Sequence, residues 1–183
     1  VFVLFVVVSG MQSSDGSSAS NEQENSDYAI DKFFNTTDEI WVFNTTQPDA
    51  QKCRKDVNKN MTSNTTFFER SYEVNETKVT EELQGRFDYY DETQTNVYDR
   101  IDVSGDQHGV YEEVLEYASD NYTCAVVTVL AFDNVTTQAW RDLRVKNRPD
   151  SAGSIDDGCK RKYDEIVKLT KKNWTSSYSK ECK

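Results

Sequence analysis

Short segments in which apolar and polar residues alternate follow one another along most of the chain, with turn residues between them. This period of two, enriched in Tyr, Phe, Val and Thr, is typical of antiparallel strands. It predicts eight strands, at residues 39–46, 51–60, 65–74, 78–90, 95–103, 109–118, 123–132 and 138–146. Eight antiparallel strands can close into a barrel with room for one small ligand.

Two segments have a helical pattern instead. Residues 26–34 place apolar side chains in a short cluster after Ser26, a residue suited to the N-cap. Residues 159–173 place Tyr163, Ile166, Val167 and Thr170 on one face and charged residues on the other. This second helix is amphipathic and needs an apolar surface to lie on.

The strand at 123–132 is apolar on both of its faces. One face carries Cys124, Val126, Thr128, Leu130 and Phe132, and the other carries Ala125, Val127, Val129 and Ala131. We expect one face to line the barrel interior and the other to lie under the C-terminal helix. A bridge between Cys124 and Cys159 would then join the start of the strand to the start of the helix.

The first residues of the chain indicate secretion. Residues 1–10, VFVLFVVVSG, resemble the apolar core and cleavage region of a signal peptide that is truncated at its start, with cleavage after Gly10. The Ser-rich segment 11–26 is predicted to be disordered, and residues 27–183 to form one domain.

Glycosylation signals support the same compartment. Eight of the thirteen asparagines precede a threonine by two residues without an intervening proline, which is far above the roughly two expected by chance. These are Asn35, Asn44, Asn60, Asn64, Asn75, Asn121, Asn134 and Asn173.

Net charge and cysteine content restrict the possible binding partners of the protein. A formal net charge of −11 argues against binding to nucleic acid and to anionic membrane surfaces. Cys53, Cys124, Cys159 and Cys182 predict two disulfides in an oxidising compartment, and three pairings are possible. There is no CxxC pair, so no metal site is expected.

Nothing in the sequence favours catalysis. The single histidine, His108, follows the turn signal SGDQ and is interpreted as a solvated loop residue. There is no glycine loop of the kind that holds phosphates, and we expect neither a cofactor nor an enzymatic activity.

Several segments together resemble the tick salivary lipocalins of the histamine-binding protein family. They are DEIWVFNTTQP, CRKDV, FFERSYEV, LEYASDNYTCAVV, AWRDLRV and YSKEC, within residues 27–183. The resemblance implies an eight-stranded barrel with a C-terminal helix, and pairing of Cys53 with Cys182 and of Cys124 with Cys159. It also implies sequestration of a host mediator, which in different members is an amine, an eicosanoid or a complement protein.

The ligand is less well defined, because the acidic positions of the amine-binding pattern are occupied here by Ala125 and Gln138. A buried ammonium without a carboxylate is costly. We therefore expect a biogenic amine, a lipid mediator or a host protein as the partner of a monomeric protein.

Aromatic and acidic residues of the strands are the candidate ligand contacts. Tyr111, Glu113, Leu115 and Tyr117 share one face of a strand, and if this face points inward Glu113 could meet an ammonium among aromatic rings; the alternative places Glu113 in solvent. The full candidate set is Trp41, Phe87, Tyr89, Tyr111, Glu113, Leu115, Tyr117 and Trp140.

Overall fold

All eight predicted strands are present in the structure, a computed structural model that describes residues 28–91, 93, 96–150 and 152–183. The helices are α1 (Ile30–Phe34) and α2 (Asp157–Thr170), with a 3₁₀ turn at Ala152–Ser154. The strands are β1 (Glu39–Thr45), β2 (Lys52–Met61), β3 (Thr65–Val74), β4 (Thr77–Asp88), β5 (Arg100–Ser104), β6 (Val110–Ala118), β7 (Cys124–Phe132), β8 (Thr137–Lys146) and β9 (Thr175–Ser176).

Hydrogen bonding closes these strands into an antiparallel barrel. Strands β2 to β8 pair in chain order, β8 pairs with β1, and β1 pairs with β2 at Glu39–Val57 and Trp41–Lys55. The short strand β9, which the sequence pattern does not predict, pairs with the last residues of β1. The predicted fold, a mainly β barrel of eight strands with a short N-terminal helix and an outer C-terminal helix, is confirmed.

Apolar residues fill one end of the barrel, where α1 lies. Ile30, Phe33 and Phe34 of α1 are fully buried in a cluster that also contains Phe68 and Phe87 of the barrel wall. The ring centroids of Phe34 and Phe68 are 5.6 Å apart. This helix therefore closes one end of the barrel.

The two apolar faces of β7 have the two separate environments that the sequence predicts. Ala125, Val127 and Val129 belong to the interior cluster, whereas Cys124 and Val126 pack against α2 on the outside. Burial of both faces explains why this strand needs no polar side. The Cys124–Cys159 disulfide joins the start of β7 to the first turn of α2.

Local signals set both ends of α2. The Asp156 side chain caps the start by accepting hydrogen bonds from the backbone N–H groups of Gly158 and Cys159, as an N-cap aspartate does. The helix ends at Lys171, whose φ of 54° is left-handed. Tyr163 and Val167 form the buried face, in agreement with the predicted stripe.

The predicted signal peptide at 1–10, the disordered segment at 11–26 and the N-cap at Ser26 lie outside the described residues. Within the described part of the chain, no helix combines the length and apolar character needed to cross a bilayer.

Candidate ligand-binding site

A layer of charged side chains crosses the middle of the barrel. We call it the charge layer; it consists of Arg54, Arg70, Arg144, Asp56, Glu113 and Asp142, all at most 2% exposed. Glu113 lies on β6, which pairs only with β5 and β7, yet it contacts arginines of β2, β3 and β8. These contacts can only be made through the interior, so the layer lies inside the barrel.

In two of the arginines every guanidinium nitrogen has a carboxylate partner, and for Arg70 Nη1 this partner is Asp106, outside the layer. Arg70 donates to both oxygens of Asp56 at 2.8 Å, and to Glu113 Oε1 at 2.7 Å. Arg144 donates to Oε2 and Oε1 of Glu113 at 2.7 and 2.9 Å, and to Asp142 Oδ2 at 3.1 Å. Each carboxylate of the layer thus accepts at least one arginine hydrogen bond, which offsets the cost of its burial.

Glu113 is the most strongly compensated of these carboxylates. Burial alone raises the pKa of a carboxyl group, but the guanidinium groups of Arg144 and Arg70 outweigh it and hold the pKa of Glu113 well below its usual range. Glu113 is therefore an anion at neutral pH, and protein cations already neutralise its charge.

Arg54 has fewer hydrogen-bond partners than the other two arginines. Its Nη1 is 3.4 Å from Asp142 Oδ2 and its Nη2 is 3.8 Å from Glu113 Oε1, and its Nε and Nη2 have no hydrogen-bond partner within the described part of the chain. Burial and the neighbouring Arg70 charge lower the pKa of Arg54. A buried guanidinium with free donors is suited to an acceptor that the protein itself does not supply.

A cleft of about 1030 Å³ lies at the open end. Its walls come from the β1–β2 and β3–β4 connections, from residues 176–179 and from the interior residues Ala131 and Trp140. Trp140 is 2% exposed, and none of the residues that the structure describes accepts a hydrogen bond from its Nε1. Trp140 and Asp142 are alternate residues of β8 and so share a face, which places the cleft next to the charge layer on the Asp142 side.

His108 lines this cleft and is held by a polar pair behind it. The Tyr72 hydroxyl donates to Glu81, and His108 Nε2 lies 2.8 Å from Tyr72 Oη. Burial and the bond to Glu81 raise the pKa of Tyr72. His108 is exposed, as the sequence predicts, but its ring stands edge-on to Tyr72 and lines the cleft.

The expected face of four residues on β6 is not formed. Register shifts occur between Val110 and Glu112 and between Leu115 and Tyr117, and each β-bulge reverses the alternation. Glu113 and Leu115 consequently point inward, whereas Tyr111 is 40% exposed and Tyr117 packs beside α2. The aromatic surroundings expected for Glu113 are thus replaced by arginines.

The other candidate contacts are spread over the molecule. Phe87 is buried in the interior cluster at the closed end, and Tyr89 stacks on Tyr98 near it, at 4.9 Å between ring centroids. Trp41 packs on Tyr178 and the Cys53–Cys182 disulfide, in a cluster separate from the interior one. Of the eight candidates, Trp140 alone lines the cleft, and Glu113 lies in the charge layer.

Arg54 and Tyr72 are absent from the predicted set. For Arg54 the sequence does contain a signal. Arg54 and Asp56 are alternate residues of opposite charge on one strand, and so are Asp142 and Arg144. Opposite charges on one strand face indicate a paired and buried face as readily as a wet one.

Comparison with known proteins defines the fold. No family model and no curated protein matches the sequence. Solved structures with high similarity include insecticyanin from the tobacco hornworm Manduca sexta (TM-score 0.57, 13% identity, 86% of this chain and 85% of that chain). They also include the siderocalin Ex-FABP (0.55, 6%, 75% and 83%) and Japanin from Rhipicephalus appendiculatus bound to cholesterol (0.50, 12%, 72% and 87%).

The chain thus has a fold similar to that of these solved structures. At these levels of identity the similarity concerns the fold alone, and the ligand has to be inferred from the residues of the cleft and the charge layer.

Proposed function

We propose that this protein is a secreted lipocalin that binds a small mediator at the open end of its barrel and sequesters it without transforming it. The lipocalin fold, the open cleft and the two disulfides support this proposal. The resemblance to tick salivary lipocalins supports host inflammatory and haemostatic mediators as the source of the ligand.

The unused donors of Arg54 and Trp140 decide which ligand we favour. All three carboxylates of the charge layer already accept arginine hydrogen bonds. In contrast, three buried donor atoms, Arg54 Nε, Arg54 Nη2 and Trp140 Nε1, have no acceptor among the described residues. A ligand that brings an acceptor, above all a carboxylate, would satisfy them. We therefore infer that the ligand is an acidic lipid mediator, such as an eicosanoid or another fatty acid.

Amine binding through Glu113 has weaker support. An ammonium placed at Glu113 would join three guanidinium groups that already lie within 4 Å of its oxygens. Repulsion between like charges in a buried site opposes this arrangement.

The rim of the cleft gives amine binding a different location. Five carboxylates but only one lysine line the cleft; these acids are Asp49, Glu73, Glu76, Asp133 and Glu181. Their field attracts cations, and the aromatic faces of Trp140 and His108 are close enough to line the same space. A biogenic amine such as histamine or serotonin at this rim is the second candidate.

Calorimetric titration distinguishes the two candidates. Protein secreted from a eukaryotic host is titrated with arachidonic acid, its methyl ester, leukotriene B4, histamine and serotonin. We expect the acids to bind with a micromolar or lower Kd, about −8 kcal/mol or better, and the ester to bind at least tenfold more weakly. Arg54→Met should raise the Kd of the acids by about tenfold or more, since a hydrogen bond to a charged group contributes about 1.5–3 kcal/mol.

Arg86→Met is the matched control, because Arg86 lies on the outer side of β4 with 57% of its side chain exposed. Its binding should equal that of the wild type. Tight amine binding that Arg54→Met leaves unchanged would favour the rim site instead. If neither acids nor amines bind, the third partner class, a host defence protein, replaces both.

A further inference from the structure

One edge of β1 has two different partners. Its first half pairs with β2, from Glu39 to Trp41, and its last residues Asn44 and Thr45 pair with Ser176 and Thr175 of β9. Between these pairings β1 and β2 separate, and their direct ladder does not continue to the open end. The barrel wall at this point is completed by the C-terminal segment.

We call residues 175–182 the strap. Ser177 is its central residue: its N–H donates to Phe43 O of β1, and its O accepts from the Cys53 N–H of β2 at 2.7 Å. Its hydroxyl donates to Gln51 O at 2.6 Å. One residue therefore connects the two strands that no longer reach each other.

Ring packing, hydrogen bonds and one disulfide hold the strap, and Arg148 donates to Tyr178 Oη and to Lys180 O. Tyr178 packs on Trp41 and Phe43, with ring centroids 5.4 and 5.7 Å away, and its hydroxyl donates to Pro149 O. The Cys53–Cys182 disulfide ties the end of the strap to the start of β2. The paired part of β9 is only two residues long, and both of them are exposed.

The strap also lies against the backbone of Arg54. The Arg54 N–H lies 3.4 Å from Ser177 Oγ, and strap residues 176–179 form one wall of the cleft. The preceding helix is anchored separately by Cys124–Cys159, so the attachment of α2 to the barrel does not depend on the strap. The left-handed Lys171 and the exposed residues after it provide the connection about which it can turn.

We propose that the strap is a lateral gate, which opens the barrel wall between β1 and β2 to give ligands a side entrance towards Arg54, and whose opening Cys53–Cys182 restrains. The role of Arg54 as ligand contact belongs to the proposed function; the gate itself does not depend on it.

Three proteins test the gate without any ligand: the wild type, Cys53→Ala/Cys182→Ala, and Cys124→Ala/Cys159→Ala as the matched control. Hydrogen exchange is followed by mass spectrometry on peptides that contain the Cys53 and Arg54 amides, and Arg54 is probed with phenylglyoxal. In the strap variant we expect exchange at these amides to rise at least tenfold, and Arg54 to become reactive, while β6 and β7 stay protected. In the control we expect no selective change at residues 53 and 54.

A chain that ends at Asn173 provides a second strap variant and should behave in the same way. Unchanged exchange and an unreactive Arg54 in both variants would overturn the gate. Loss of protection in all strands would also overturn it, because the strap would then be a structural part of the barrel.

Association kinetics connect the gate with binding. Stopped-flow mixing with cis-parinaric acid as a fluorescent probe should show faster association and faster release for the strap variant than for the wild type. If the wild type does not bind this probe, the proposed ligand class fails, but exchange and arginine modification still decide on the gate.

Discussion

Arg144 and Glu113 face each other across the barrel interior and form two parallel hydrogen bonds, of 2.7 and 2.9 Å, with both side chains fully buried. The planar guanidinium matches the carboxylate in this bidentate geometry. Arg54 lies on β2, which only β1 separates from the strand of Arg144, and it has no comparable bond. The same interior therefore contains one arginine that stabilises the fold and one that is available to a ligand.

Stability measurements should separate these two arginines. Arg144→Met leaves the Glu113 and Asp142 carboxylates undercompensated, and we expect a loss of about 3–5 kcal/mol in the free energy of unfolding. Arg54→Met should stay within about 1 kcal/mol of the wild type, because burial and Arg70 already disfavour the Arg54 charge. Urea unfolding at pH 7 measures both. Equal losses for the two variants would contradict the distinction.

Acid should destabilise the protein partly through Glu113. Its pKa is lowered on folding, so its contribution is fully present above the pKa of an unfolded glutamate, about 4.3, and is lost as the pH falls below that value. Glu113→Gln should be less stable than the wild type at pH 7, and its stability should fall less steeply between pH 5 and pH 2.5. Urea unfolding across this range tests it, with Glu82→Gln on the exposed side of β4 as the control. Parallel pH curves for Glu113→Gln and the wild type would argue against the buried ion pair.

The parts of the fold that sequence could predict are those with a local signal. The two apolar faces of β7 and the stripe of Tyr163 and Val167 in α2 each show their environment through their own periodicity. The register shifts of β6 have no such signal, and they invert the faces on which the prediction for Tyr111 and Tyr117 depended.

Long-range pairing limits what could be predicted about the site. Arg70 and Glu113 are 43 residues apart, and Arg144 and Glu113 are 31 apart, so no local pattern reveals that they meet. The strap is equally hidden, since a two-residue strand has no periodicity at all. The resemblance implied the barrel and the cysteine pairing, whereas the charge layer is visible only in the three-dimensional structure.

The helix disulfide should act on stability rather than on the cleft. Peptide mapping of the non-reduced secreted protein should recover Cys53 joined to Cys182 and Cys124 joined to Cys159. Cys124→Ala/Cys159→Ala frees a loop of 35 residues, which costs about 4 kcal/mol in the chain-entropy model and lowers Tm by about 10 °C. Scanning calorimetry measures this change, and titration with an acid that the wild type binds should give an unchanged Kd. A peptide joining Cys53 to Cys124 would refute the observed pairing.

Glycosylation should be absent from one of the eight predicted sites. Asn44 is 9% exposed in β1, where it pairs with Leu143 of β8 on one edge and with Ser176 of the strap on the other. The asparagines of the seven other sequons are exposed. A glycan is bulky and needs a solvated attachment point, so one on Asn44 is incompatible with the closed strap.

Enzymatic deglycosylation in ¹⁸O-labelled water, which converts each formerly glycosylated asparagine to a labelled aspartate, should therefore leave Asn44 unlabelled in the folded secreted protein. Asn44→Gln should migrate like the wild type, whereas Asn121→Gln, at an exposed turn before β7, should lose the mass of one glycan. Label on Asn44 in protein that retains both disulfides would contradict the burial of this residue beneath the strap. Label on Asn44 only in misfolded, non-native material would agree with it, because a glycan there prevents the strap from pairing with β1.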